Sequence, residues 1–378
     1  RSGSSVVKSV LSSHPDMASL DGEIEPFLTL SKNGFSYNSN SDAIEALSNK
    51  DELASNIIDG LTLPSKKLAL SDALKRRWKT RLLLQFPALF SDIKEYKELL
   101  KSLDETLSDV EVSDTQKEKE LQRIVLTKVF KNSPWRIAYY DGYKNVADSN
   151  RFFDEFKIEE PPFVVPRLYG KAFTVDDAET KTLLFKAPPD AYRIGTYEQL
   201  FPNAEIKYIH LTRGYAQSVN GLMDGWLSPI GFFSHNLKDV GINLDIKGYS
   251  DLVEFGKDWW KFDLPPNWRE FIGARLEDVC LNQWVSAHKA ILESKLPKLH
   301  VSFEQVLLEP KETIKKITDY LGLRDLKSVA LPVVMAVEAP KARRWLKRES
   351  ELLKIGERKE VKEVMKSLGY EMNPETWL

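Results

Sequence analysis

The chain of 378 residues contains a single cysteine, Cys280, so no disulfide can form within it. Its five histidines, at positions 14, 210, 235, 288 and 300, lie far apart and show none of the spacings of a structural zinc site. No run approaches the ~18 consecutive apolar residues that a membrane-spanning helix requires. One of the longest apolar runs, Leu331-Pro332-Val333-Val334-Met335-Ala336-Val337, is expected to be buried strand or turn. Neither sign of charge is in excess. Lys and Arg number 54 against 56 Asp and Glu, a net charge of -2, which excludes a global basic field toward nucleic acid or an anionic membrane. A local anion site remains compatible with that balance. Internal repeats and low-complexity tracts are also lacking.

What is present reads as a globular α/β protein. At ~150 residues per domain the length allows about two and a half units. Val6, Val7, Val10 and Leu11 form the stripe of a buried helix face, and His14-Pro15 stops it because a residue before proline leaves the α region. Thr182-Leu183-Leu184-Phe185, Ile206-Lys207-Tyr208-Ile209-His210-Leu211 and Leu299-His300-Val301-Ser302-Phe303 read as strands. An amphipathic stretch over 270–294 lies between the last two. Pro310 marks a helix start and Gly322 its stop, with Ile314, Ile317 and Leu321 inward, and another helix ends at Leu368-Gly369. Strands separated by helices predict a three-layer α/β fold, a central parallel sheet with helices on both faces.

From about 35 to 135 the character changes to polar and helical. Ser113-Asp114 offers an N-cap to an apolar face of Leu121, Ile124, Val125 and Val129, and Arg76, Arg77, Trp78, Lys79 and Arg81 form a basic turn. The expected organisation is a core start at 1–34, a helical insertion or cap at 35–160, the rest of the core at 161–325, and a C-terminal basic segment with a helix at 326–378.

Two places carry chemistry. In Arg1-Ser2-Gly3-Ser4-Ser5 a glycine flanked by serines precedes a helix, so consecutive N–H groups, two hydroxyls and an arginine face one anion. This is not a phosphate loop of the Gly-x-x-x-x-Gly-Lys-Ser/Thr type, because the lysine is missing. Such loops follow a strand, and none precedes Arg1, so a strand is expected ahead of it in the natural chain. The second place is Arg213, at the carboxyl end of the strand closing on Thr212, where open α/β sheets bind ligands. Ser218 and Asn220 follow one to two turns later as neutral donors.

Taken together, the blocks have a familiar order. Arg1-Ser2-Gly3-Ser4-Ser5, then His14-Pro15-Asp16 and Gly22-Glu23, Leu183-Leu184-Phe185-Lys186-Ala187-Pro188, Phe201-Pro202-Asn203-Ala204-Glu205-Ile206 running on to Arg213, and Val301-Ser302-Phe303-Glu304 running on to Asp319-Tyr320-Leu321-Gly322-Leu323 resemble the sulfotransferases that use 3′-phosphoadenylyl sulfate (PAPS). The resemblance covers residues 1–30, 181–226 and 298–323, with the closing Leu368-Gly369-Tyr370, and skips the helical insertion. It is nearest the branches, bacterial and protein-tyrosine, that use a glutamate base.

The resemblance implies roles residue by residue. Arg1, Ser2, Gly3, Ser4 and Ser5 match the loop around the 5′-phosphosulfate, and Arg213 matches the arginine on the 3′-phosphate. Many members place a serine eight residues after that arginine. Gly221 stands there, so Ser218 or Asn220 is expected to substitute. Lys186 matches the lysine beside the leaving group. The histidine that cytosolic members carry shortly after it is missing, and Asp190 occupies that neighbourhood. Glu23 becomes the expected base, with Glu25 the fallback. Arg343 and Arg344, in a late basic cluster beginning at Lys341, are expected either to close over the nucleotide or to start a solvated helix. Trp226, Trp135, Tyr139, Tyr140 and Tyr143 are candidates for an acceptor wall, with core packing the alternative for Trp226. His14 is expected in a turn and Cys280 in the core.

The implied activity is transfer of a sulfuryl group to a hydroxyl of a small-molecule or carrier-bound acceptor, without a metal. A protein tyrosine is the alternative acceptor, although one cysteine fits poorly with the disulfide-bonded, membrane-anchored setting of that branch. The expected setting is cytoplasmic, and no nucleic-acid partner is expected. Rivals of other classes are a nucleotide-kinase-like enzyme, disfavoured by the missing loop lysine, and a catalytically inactive nucleotide-binding protein.

Overall fold

The computed structural model describes residues 3–20, 22–61, 174–228, 232–334, 336 and 338–378, with the isolated positions 98, 101 and 105 and the pairs 159–160 and 163–164. Arg1, Ser2, Trp135, Tyr139, Tyr140, Tyr143, the basic turn at 76–81 and the helix expected after Ser113 lie outside the described residues.

The first helix, α1 (Ser4–Leu11), buries Val7, Val10 and Leu11 as its stripe requires. Each contributes about 1.5–3 kcal/mol of burial free energy. A three-residue strand follows, β1 (Met17–Ser19), then α2 (Glu25–Leu30) and α3 (Lys50–Leu61). Next among the described residues is a two-residue antiparallel pair, β2 (Glu159–Glu160) with β3 (Phe163–Val164). Then come α4 (Val175–Thr180), opened by a capping box of Thr174 and Asp177, β4 (Thr182–Leu184) and α5 (Thr196–Leu200).

β5 (Tyr208–Thr212) leads into α6 (Tyr215–Leu227), and the antiparallel pair β6 (Phe233–Asn236) and β7 (Trp259–Lys261) follows. The amphipathic stretch forms α7 (Leu276–Glu293), and β8 (Lys298–Ser302) runs straight into α8 (Phe303–Leu308). Next, α9 (Pro310–Leu321) starts on its proline and stops on Gly322, whose φ of +74° is the left-handed C-cap that glycine supplies without strain. The last helices are α10 (Glu349–Gly356) and α11 (Lys359–Ser367).

The sheet departs from expectation. Among the described residues the parallel strands form two separate hydrogen-bonded pairs, β1 with β4 and β5 with β8, rather than one central sheet. At three to five residues each, they are too short to carry a wide ladder. The layering is nevertheless visible in side-chain parity, because alternate strand residues point to opposite faces. Ala18, Leu183 and Tyr208 pack with Leu20, Ile24, Phe27, Leu53, Ile57 and Leu200. Met17, Leu184, Ile209, Leu211 and Val301 instead pack with Val7, Val10, Leu11, Ile314 and Ile317 of α1 and α9. A third and larger core joins α6, α7, α10 and α11 around Trp226, Trp260, Trp268 and Trp345.

Residues 331–334 and 336 form no strand. They are half-buried irregular chain, so the expected burial of that run is not met. Among the described residues no helix is long and apolar enough to cross a membrane, and no group of acidic, histidine or cysteine side chains is placed to hold a metal.

Candidate active site

Two parallel pairings place the chemistry at strand ends. Ser19 is in register with Leu184, so the loop carrying Glu23 and the one carrying Lys186 leave β1 and β4 at the same end. Thr212 is likewise in register with Ser302, which sets Arg213 beside Phe303. The Arg213 guanidinium lies 5.3 Å from the centre of the Phe303 ring. Gly3 completes the group. Its φ is +74°, and a Cβ at that position would fall 2.2 Å from two atoms of the same ring. One aromatic plate therefore seats both the glycine of the N-terminal loop and the strand-end arginine.

Gly3, Ser4, Ser5, Lys186, Arg213, Ser218 and Arg344 all line one cleft of about 1880 Å³. A pocket for one small ligand is roughly 300–1,000 Å³, so two substrates can share this one. At its N-terminal end α1 has no side-chain cap, and its first N–H groups are available to an anion. The Arg213 side chain has no hydrogen bond or ion pair among the described residues, while burial pulls its pKa below the ordinary range. The Glu304 carboxylate acts on it by charge without a hydrogen bond, so a desolvated guanidinium facing the cleft keeps all its N–H donors for a phosphate or sulfate.

Lys186 and Glu23, expected to act on opposite sides of the transferred group, are joined. Lys186 Nζ donates to Glu23 Oε1 at 2.7 Å, with side chains 15% and 33% exposed. Lys8, on the polar side of α1, holds the Glu23 loop by donating to the carbonyls of Leu20 and Gly22 at 2.6 and 2.9 Å. Glu25 has a different partner. Its Oε1 accepts from Arg193 Nη2 at 2.5 Å, and its Oε2 is shielded from solvent without a hydrogen bond. Burial raises the Glu25 carboxyl to about 7, against the pull of Arg193, with the charges of Glu23 and Asp190 adding to the rise.

Other expected residues are placed elsewhere. Trp226 is fully buried, its indole N–H given to Gln283 Oε1 and its ring set against Tyr249 and Trp260, which removes it from the acceptor wall. Asn220 is also turned away, since its Oδ1 accepts from Arg348 at 2.5 Å. Ser218 remains in the cleft wall, its hydroxyl 3.4 Å from the Arg213 carbonyl. Gly221 lines the cleft too, and a Cβ there would meet nothing within 4 Å. Arg344 reaches the cleft already neutralised, donating to Asp224 at 2.7 Å and Glu338 at 2.9 Å, while Arg343 is exposed over the Trp345 ring. His14 is buried in its turn, Nδ1 accepting the Asp16 N–H and Nε2 against the Arg324 carbonyl. Cys280 lies in the third core.

The cleft wall also includes His210 and His288, which sequence reasoning missed. Histidines 210, 288 and 300, read as scattered, converge where β5, β8 and α7 meet. His210 Nε2 and His288 Nδ1 are 2.9 Å apart, so one ring donates and the other accepts. His300 Nε2 is 2.9 Å from Thr212 Oγ1. Burial holds all three below the ordinary histidine range, His210 at about 4. The register of His210 opposite His300 was legible once β5 and β8 were paired, but the approach of α7 was not.

No protein-family model matches the chain. No curated protein matches it either. Among solved structures, the sulfotransferase domain from the curacin biosynthetic pathway aligns over 98% of this chain and 95% of that one, at 13% identity and a TM-score of 0.38. A likeness of that size carries no argument about what this chain does.

Proposed function

We propose that the chain is a sulfotransferase that moves the sulfuryl group of PAPS to an acceptor hydroxyl by in-line displacement. The observation that carries the reading is that Gly3, Ser4, Ser5, Arg213 and Lys186, the last paired with Glu23, line one cleft, with Lys186 and Arg213 just past the carboxyl ends of parallel strands. The motif order described above supports the same assignment.

In this reading the acceptor oxygen attacks sulfur, and the bond from sulfur to the bridging phosphate oxygen breaks. Glu23 takes the hydroxyl proton. Lys186 leaves Glu23 for the bridging oxygen and neutralises the charge that accumulates there, while the N–H groups of the Gly3–Ser5 turn hold the phosphosulfate. Arg213, with the Ser218 hydroxyl, takes the 3′-phosphate and fixes the donor. Donor entry thus draws Lys186 away from Glu23 in the same step that brings the acceptor hydroxyl to it. The apolar wall formed by Ala54, Ile58, Leu183, Phe185 and Leu200 receives the body of a small-molecule or carrier-bound acceptor.

Glu23→Gln tests the assignment. It is expected to lower sulfuryl transfer by about 10²–10⁴-fold, the usual share of a general base, with adenosine 3′,5′-bisphosphate bound as in the wild type. Undiminished turnover in this variant refutes the base.

A further inference from the structure

Two loops more than 160 residues apart in the sequence carry the reacting pair, and a buried arginine behind them links the two. Arg193 is 3% exposed. Its Nε and Nη2 both donate to Asp190 Oδ1, at 3.0 and 2.8 Å, and Nη2 also donates to Glu25 Oε1. Asp190 Oδ2 accepts the Ala187 N–H at 2.9 Å and the Tyr197 hydroxyl at 3.1 Å. Ala187 follows Lys186, and Glu25 opens α2 two residues after Glu23. The chain of bonds therefore runs from the Lys186 loop through Asp190 and Arg193 to the Glu23 loop.

We infer that Arg193 is a positioning residue, a buried brace that sets the separation of Lys186 and Glu23, with Glu25 its far anchor rather than a second base. The inference rests on the functional reading above for its catalytic consequence. Its structural part stands without that reading. Three observations favour a brace over an accidental pair. The guanidinium is shared between two carboxylates on different loops. Asp190 spends its remaining oxygen on the backbone of the residue beside Lys186. Arg193 also opposes the burial that raises the Glu25 carboxyl to about 7, so losing it leaves Glu25 neutral and without its anchor.

The test uses Arg193→Met, Arg193→Lys and Glu25→Gln, the last keeping an acceptor oxygen but removing the charge from the contact between loops, with Arg193 left on Asp190. The primary readout is acetic anhydride labelling of Lys186, followed by mass spectrometry against the other lysines of the same digest. Wild-type Lys186 is expected to label slowly, held by Glu23. Arg193→Met and Glu25→Gln are each expected to raise its rate several-fold, toward that of Glu23→Gln, while the other lysines keep theirs. Arg193→Lys is expected to recover part of the protection. A merely structural role accelerates many lysines together and would overturn the inference, as would an unchanged Lys186 rate in both Arg193→Met and Glu25→Gln.

The catalytic consequence is read separately. A displacement on the order of 1 Å costs roughly 10²-fold, so kcat is expected to fall ~10–100-fold with the donor KM unchanged. The Glu25→Gln, Arg193→Met double variant is expected to be no worse than Arg193→Met alone, and additive losses would overturn the brace. Absence of adenosine 3′,5′-bisphosphate binding by wild-type protein would sink the functional reading while leaving the labelling result to decide the brace.

Discussion

Gly3→Ala probes the seat of the N-terminal loop and separates two costs. The first is backbone. At φ +74° an L-residue gives up about 1–2 kcal/mol relative to glycine. The second is steric. The new Cβ falls 2.2 Å from Cδ2 and Cε2 of Phe303 and 2.6 Å from Cζ, where carbon atoms prefer about 3.5–4.0 Å. Either the ring or the loop must move by more than ~1 Å, and overpacking of that kind costs about 1–3 kcal/mol. The sum, about 2–5 kcal/mol, is a large part of the roughly 5–15 kcal/mol that holds a typical domain together. Phe303→Ala removes the clashing ring atoms and leaves the backbone cost in place. In urea titrations followed by tryptophan fluorescence, Gly3→Ala is therefore expected to be milder by about 1–3 kcal/mol in the Phe303→Ala background. Additivity of the two substitutions within ~0.5 kcal/mol would refute the contact. Because the same ring faces Arg213, Gly3→Ala is also expected to weaken anion binding.

Other expectations follow from the cleft and its surroundings. Gly221→Ser places a hydroxyl in open space on α6, so thermal unfolding should not fall, and adenosine 3′,5′-bisphosphate affinity should rise severalfold. A lowered melting temperature would contradict the emptiness of that site. Acid stability has two opposing contributions. Histidines 210, 288 and 300 have depressed pKa values, so the unfolded chain binds their protons first and stability is lost as pH falls from about 6.5 toward 4. Glu25, raised to about 7, gives the reverse, since the folded state holds its proton between about 4.5 and 7. Glu25→Gln is thus expected to steepen the acid loss by about one proton, ~1.4 kcal/mol per pH unit, in chemical denaturation from pH 6.5 to 4.5. An unchanged slope would contradict the raised carboxyl.

Much of the scaffold was legible because its signals are local. The valine stripe gave α1, Pro310 and Gly322 bracketed α9, and the β-branched run before Thr212 gave β5. β1 was not readable, because Met17-Ala18-Ser19 has no β-branched residue and exists through its pairing with β4. The division of the parallel strands into two pairs was hidden for the same reason, since periodicity says nothing about which strands share hydrogen bonds. At the site, Arg213 was marked by its strand end and Lys186 by the resemblance, while parallel register explains only the pairing of the Lys186 loop with the Glu23 loop and of Arg213 with Phe303. The partners that complete them are distant in sequence. Phe303 against Gly3, Arg193 against Glu25 and the three histidines depend on crossings that no spacing encodes. Trp226 takes its core alternative and Asn220 turns to Arg348 because α6 is buried on nearly every face, so helical position alone did not tell which side meets the cleft.

The central claim is that the cleft is built for a nucleotide bearing a 3′-phosphate, held by Arg213. Isothermal titration of the protein with adenosine 3′,5′-bisphosphate addresses it directly. The account predicts one site per chain, and a Kd raised ~10–150-fold in Arg213→Met, the equivalent of losing about 1.5–3 kcal/mol of charge-assisted hydrogen bonding. Tight binding of ATP with Mg²⁺ and none of adenosine 3′,5′-bisphosphate, or equal affinity in Arg213→Met, would contradict it.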